Sequence, residues 1–168
     1  MVFIMKTITR EYKIYKFNEL SEEAKENAIK KQYDINVDYD WWRCVYEDAA
    51  QIGLKITGFD IDRGSYCKGN FTENALDVAN KIIESHGKDC ETYKDAQLYV
   101  KAHAEIEGKT PDAEDVDTED IDDDFLKTLL EDYRIMLSRE YDYLTSKEAT
   151  IETIEANDYD FTEDGKLF

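Results

Sequence analysis

The chain has 168 residues, 42% of them hydrophobic and 12% aromatic, and it carries 40 Asp/Glu against 21 Lys/Arg for a net charge of −19. The apolar content is too high for a disordered acidic tail, so most of this charge must sit on folded surface. An anion this strong is repelled by nucleic acid and by anionic membrane, and it attracts basic surfaces and cations.

The charge is unevenly spread. Residues 111–168 hold 20 Asp/Glu against 5 Lys/Arg, whereas residues 1–70 are almost balanced at 12 against 11. No run of about 18 apolar residues occurs, and the opening stretch Met1–Thr9 is too short in apolar residues for a secretory signal. Cys44, Cys67 and Cys90 form an odd set without CxxC spacing, which argues against a disulfide framework and predicts a reducing, cytoplasmic setting. With only His86 and His103 beside them, a zinc site would have to be assembled across the fold, and neither metal nor cofactor is expected.

In chain order, Lys13–Phe17 alternates as a half-buried strand. Ser21 then caps a helix with Glu22 and Glu23 in its first turn and Ala24 and Ala28 on one stripe. Asp38 or Asp40 opens a second helix, Trp41–Ile52, which Gly53 stops. Lys55–Asp62 and Ser65–Phe71 read as a hairpin turned at Arg63-Gly64. Thr72 is the expected cap of the next helix, with Ala75, Leu76, Ala79, Ile82 and Ile83 inward and Gly87 at its end. A helix from Cys90 to Ile106 carries Tyr93, Ala96, Val100 and His103 at helical spacing.

The longest element is predicted over Thr118–Leu144, where Leu126, Leu130, Tyr133, Leu137, Tyr141 and Leu144 keep the 3.6-residue period. Thr145 and Glu148 read as the capping box of a short helix ending near Asn157, and Asp164-Gly165 as the turn of a terminal hairpin. The expected fold class is α+β: a small antiparallel sheet packed by about five or six helices, with a long acidic helix in the C-terminal half. It reads as one domain over 1–168, near-neutral in residues 1–110 and strongly acidic and helical, with the terminal hairpin, in 111–168.

Thirteen residues from Asp112 to Asp124 hold nine carboxylates and no base: Asp112, Glu114, Asp115, Asp117, Glu119, Asp120, Asp122, Asp123 and Asp124. As a helix this stretch would carry one charge per roughly 2 Å, close to the one per about 1.7 Å of duplex DNA. Extended, at about 3.3 Å per residue, the match would fail. Pro111 and the lack of apolar residues before Val116 suggest a loop up to Thr118. Glu131 and Asp132 continue the acid along the long helix, and Glu148, Glu152 and Glu155 stack on one face of the last one at some cost to its stability. The plain alternative is a solubilising face. An EF-hand counted from Asp120 fails, because its sixth position, which requires Gly, is Phe125.

Two further constellations bear on chemistry. Asp60 and Asp62 lie two apart on a predicted strand near Arg63 and Lys68, a pattern that holds Mg²⁺ for phosphodiester cleavage in some enzymes and caps a strand end in most others. Trp41 and Trp42 are either core rings or, if one is exposed, an interface anchor. No phosphate loop, nucleophile elbow or His-x-x-x-His occurs, so no enzyme is expected.

The segments Tyr15–Ser21 running into Ala24-Lys25, Asp38–Phe71 (with Asp-Tyr-Asp-Trp-Trp and Gly-Phe-Asp-Ile-Asp-Arg-Gly-Ser-Tyr-Cys) and Thr145–Gly165 cover more than half of the chain. They resemble uncharacterised small acidic proteins of phages and bacterial mobile elements, a group with no active site to carry over. By analogy with anti-restriction and anti-CRISPR inhibitors, the resemblance implies an anti-defence protein that imitates DNA. The expected partner is a basic nucleic-acid-binding protein such as a defence nuclease, met by the carboxylates named above without direct binding to nucleic acid. An antitoxin-like protein that neutralises a basic partner through an apolar groove is the alternative, and a Mg²⁺-dependent phosphoesterase at Asp60 and Asp62 is a second.

Overall fold

The computed structural model describes residues 5–109 and 117–168, and the chain divides into two compact units, residues 1–39 with 142–168 and residues 40–141. The architecture is α+β, with six helices and two antiparallel two-stranded sheets among the described residues. In chain order the elements are β1 (Tyr15–Lys16), α1 (Glu22–Lys31), α2 (Arg43–Gln51), β2 (Leu54–Asp60), β3 (Tyr66–Phe71), α3 (Ala75–Ser85), α4 (Glu91–Lys109), α5 (Glu119–Leu144), α6 (Lys147–Ala156) and β4 (Asp160–Phe161). The change of charge at 110/111 falls inside the second unit.

In the first unit, only Tyr15 and Lys16 of the predicted strand pair, opposite Phe161 and Asp160. Phe17 instead enters a 3-10 turn that buries its ring to 8% exposure. That ring joins Leu20, Ala24, Ala28, Ile154 and Phe161 in a small core. Ser21 caps α1 as expected, its hydroxyl oxygen accepting from the Ala24 amide at 3.2 Å. The cap of α6 is Ser146 rather than Thr145: the Ser146 oxygen accepts from the Ala149 amide at 3.2 Å. Two neighbouring hydroxyl residues compete for one cap, and the one that lets Ala149, Thr150 and Ile154 face inward wins. Asn36 ties its loop to this region, donating to the carbonyls of Leu144 (3.1 Å) and Ala149 (3.3 Å) and accepting from Thr153 at 2.7 Å. In the terminal turn Gly165 has φ +77° and lies so close to α1 that an added Cβ would stand 2.0 Å from the Ala24 carbonyl oxygen, a place open only to glycine.

In the second unit, β2 and β3 form the predicted hairpin, with an irregularity between Ile56 and Gly58. Thr72 does not cap α3. Its amide and hydroxyl both donate to the Gly53 carbonyl, at 2.8 and 3.1 Å, while Asn74 caps the helix by accepting from the Asp77 amide at 2.8 Å. Helix α2 begins two residues later than expected, with neither Asp38 nor Asp40 capping it through a side chain; the Asp40 carbonyl accepts from the Arg43 amide instead. The buried residues of α3 include Val78, which replaces Leu76 and Ile83 at the centre of its inner face. Helix α5 buries Phe125, Leu129, Tyr133 and Leu137, one column away from the expected Leu126 and Leu130, which are half-buried. These faces meet Ala49, Ile52, Leu54, Ile56, Ala79, Ile82 and Ala96 in one core. Trp41 is 8% exposed and stacks edge-on against the half-buried Trp42 and against Phe59, so both indoles belong to an aromatic cluster and neither is a free anchor.

Candidate functional site

Helix α5 needs its apolar stripe inward, and this sets which carboxylates look out. Residues at 100° steps place Asp120, Asp123, Asp124 and Glu131 on the side away from Phe125, Leu129 and Tyr133, with Glu119 at its flank, and all five are exposed. Glu119 and Asp120 lie in the first turn, where the helix dipole favours anions. Asp117 is exposed just before the helix and accepts from the Glu119 amide at 3.3 Å. Lys127 lies 3.4 Å from Asp124, and Arg134 grips Glu131 with two N–H groups at 2.6 and 2.8 Å, which holds the Glu131 carboxyl below its usual range. Glu119, Asp120 and Asp123 have no basic partner among the described residues.

Two residues expected on this interface turn inward. Asp122 accepts from the Tyr99 hydroxyl and from the Thr118 hydroxyl at 2.9 Å, so it fastens the start of α5 to α4. Burial and this carboxylate together push the Tyr99 hydroxyl well above the usual phenol range. Asp132 is half-buried, and burial, then a hydrogen bond with the Asp95 carboxyl on α4, push it up to about 7. A shared proton is the chemistry that lets two carboxyls stand together there. Oδ2 of Asp132 is shielded from solvent and finds no hydrogen-bond partner among the described residues. Neither residue is available to a partner as a simple charge.

Asp112, Glu114 and Asp115 lie outside the described residues. In the first unit, Glu148, Glu152 and Glu155 are exposed along one side of α6, away from its buried Ala149 and Ile154, and form a stripe of their own.

Counting only what faces out lowers the charge density. Five carboxylates over the twelve steps from Glu119 to Glu131 span about 18 Å, one per roughly 4 Å. That is close to the phosphate spacing of a single DNA strand, about 3.4 Å, rather than that of the duplex.

Beside this face, α4 and α5 leave a cavity of about 220 Å³, with Leu98 and Ala102 on one wall and Ile121, Phe125 and Thr128 on the other. Asp95 and Asp124 also line it, one from each helix. Leu98 is 66% exposed. It lies off the stripe of Tyr93, Ala96 and Val100, and that displacement is the only sequence signal of the groove.

A larger cavity, about 560 Å³, is lined by Cys44, Cys90, Asp48, His86 and Thr92 among others. A 2.7 Å hydrogen bond joins His86 Nδ1 to the Thr92 hydroxyl, and His86 Nε2 lies 3.9 Å from Asp48, whose other oxygen accepts from Tyr133 at 2.7 Å. The fold thus brings Cys44 to a cavity that His86 and Cys90 also line, yet among the described residues no group of three or more such side chains is close enough to hold a metal.

Asp60 and Asp62 do not share a strand face. Asp60 ends β2, Asp62 lies in the turn, and an Asp60 oxygen accepts from the Asp62 amide at 2.7 Å, which makes the pair a strand-end cap. Among the described residues no helix is long and apolar enough to cross a membrane. No family model, curated protein or solved structure matches the chain.

Proposed function

We propose that the protein is a non-enzymatic acidic inhibitor that imitates nucleic acid, presenting the outward carboxylates of α5 to the basic nucleic-acid-binding groove of a bacterial defence nuclease. The observation that carries this reading is the placement of Glu119, Asp120, Asp123, Asp124 and Glu131 along one helix, all exposed and three of them without a basic partner among the described residues. A helix fixes their spacing, so Lys and Arg side chains arranged for phosphates meet oxygens at comparable intervals. Glu148, Glu152 and Glu155 add a second acidic stripe on α6. The resemblance to small acidic phage proteins supplies the setting. The net charge of −19 also favours fast, salt-sensitive association with a cationic cleft.

A panel of restriction and CRISPR nucleases, assayed for DNA cleavage with and without the protein, tests the proposal. Inhibition of a panel member is expected to weaken as salt rises and to fall at least about tenfold when Glu119, Asp120, Asp123 and Asp124 are replaced by their amides. Equal potency of the native and neutralised chains would contradict it.

A further inference from the structure

Resting on that reading, we propose that the α4/α5 groove is an anchor socket for one large apolar side chain on a Lys/Arg-rich helix of the partner, with Asp124 pairing with a base that flanks it. Charge alone does not explain this part of the surface. Leu98 stands 66% exposed in the lining of a cavity it shares with Ala102, Ile121 and Phe125. Exposed apolar surface of this kind, rimmed by polar groups, marks contact sites.

Size limits the occupant. At about 220 Å³ the groove is smaller than the roughly 300–1,000 Å³ typical of small-molecule pockets, and it suits a single Leu, Met or Phe side chain. Ala102, one turn beyond Leu98, leaves the notch such a side chain would fill.

Charge limits it further. Asp124 lines the groove as an exposed carboxylate, and Asp120, one turn before it, extends the acid along α5. Nucleic acid and anionic lipid are repelled by this rim, and a neutral helix would leave it unanswered. A basic amphipathic helix satisfies both the apolar floor and the rim. The exposed pair of Asp124 with Lys127 is weak enough for a partner's Arg to replace it.

The test uses the full chain and two labelled helical peptides of equal length and positive charge. Both are about 16 residues long, roughly four turns; one has only Ala between its Lys/Arg residues, and the other has Leu and Phe four apart. The Leu/Phe peptide is expected to bind at least about tenfold tighter, because it alone buries a large side chain. Ala102→Trp, which fills the groove, and Leu98→Ser, which removes its exposed lip, should each erase that difference and leave binding of the Ala peptide unchanged. Circular dichroism of both variants confirms that they are folded. If the two peptides bind alike, or both variants keep the difference, the socket is refuted while the acidic-face reading stands. If neither peptide binds, the acidic-face reading falls and the socket with it.

Discussion

The two sides of α5 carry the same kind of residue to opposite ends. On the outer side Asp120 and Asp123 are exposed and have no basic partner among the described residues; on the inner side Asp122 holds Tyr99 and Thr118, and Asp132 shares its surroundings with Asp95. A one-residue step along the helix turns a carboxylate by 100°, and that step separates an interaction charge from a structural one. The high acid content of this helix therefore has two physical origins, and substitutions on the two sides should affect different properties.

The largest effect is expected on the outer side. Replacing Glu119, Asp120, Asp123 and Asp124 by amides should weaken inhibition of the partner nuclease by tenfold or more at low salt. It should change stability by no more than about 1 kcal/mol, since relief of repulsion between like charges is offset by loss of the first-turn anions that the helix dipole favours. Calorimetry alongside the cleavage assay checks both halves. On the inner side the pattern reverses. Asp122→Ala strands the Tyr99 hydroxyl, a group 5% exposed as a residue, and should cost about 1–3 kcal/mol in denaturant unfolding with inhibition intact in the folded fraction.

Asp132 sharpens the contrast through pH. Its folded value of about 7 exceeds the ordinary 3.8, so between those values the folded chain holds a proton that the unfolded chain has lost. Stability from this group is therefore greatest at low pH and declines as pH rises toward 7, above which the half-buried charge is fully penalised. Asp132→Asn should stabilise the protein at pH 8 by roughly 1–2 kcal/mol after allowance for its partial exposure, and have little effect near pH 4. An equal change at both pH values would show that protonation of Asp132 is not responsible. The smallest effect is at Lys127, the base within the outer face: Lys127→Gln should tighten partner binding only a few-fold, as expected for release of one exposed pair.

How much of this was legible in the residues depended on whether the signal was local. Ser21 before Glu22-Glu23, Gly53 after α2 and the Arg63-Gly64 turn each determine a boundary through their own chemistry, and the structure has them there. Where two adjacent residues could serve, packing decided. Asn74 took the cap from Thr72, Ser146 took it from Thr145, and Phe125 with Leu129 took the core column from Leu126 and Leu130. That last choice is the one that turned Asp122 inward, so the composition of the acidic face could not be read without it. Pairing of Tyr15 with Phe161, and the grooves between helices, depend on contacts across the fold that no local pattern encodes.

The most direct test is the salt dependence of binding to an inhibited nuclease, measured for the native chain and for the chain with Glu119, Asp120, Asp123 and Asp124 neutralised. The expected result is a steep fall of log affinity with log salt in the native protein that flattens markedly in the variant, as basic residues lose anions to pair with. A shallow native slope, or the same slope in both proteins, would show that these carboxylates do not stand in for phosphates.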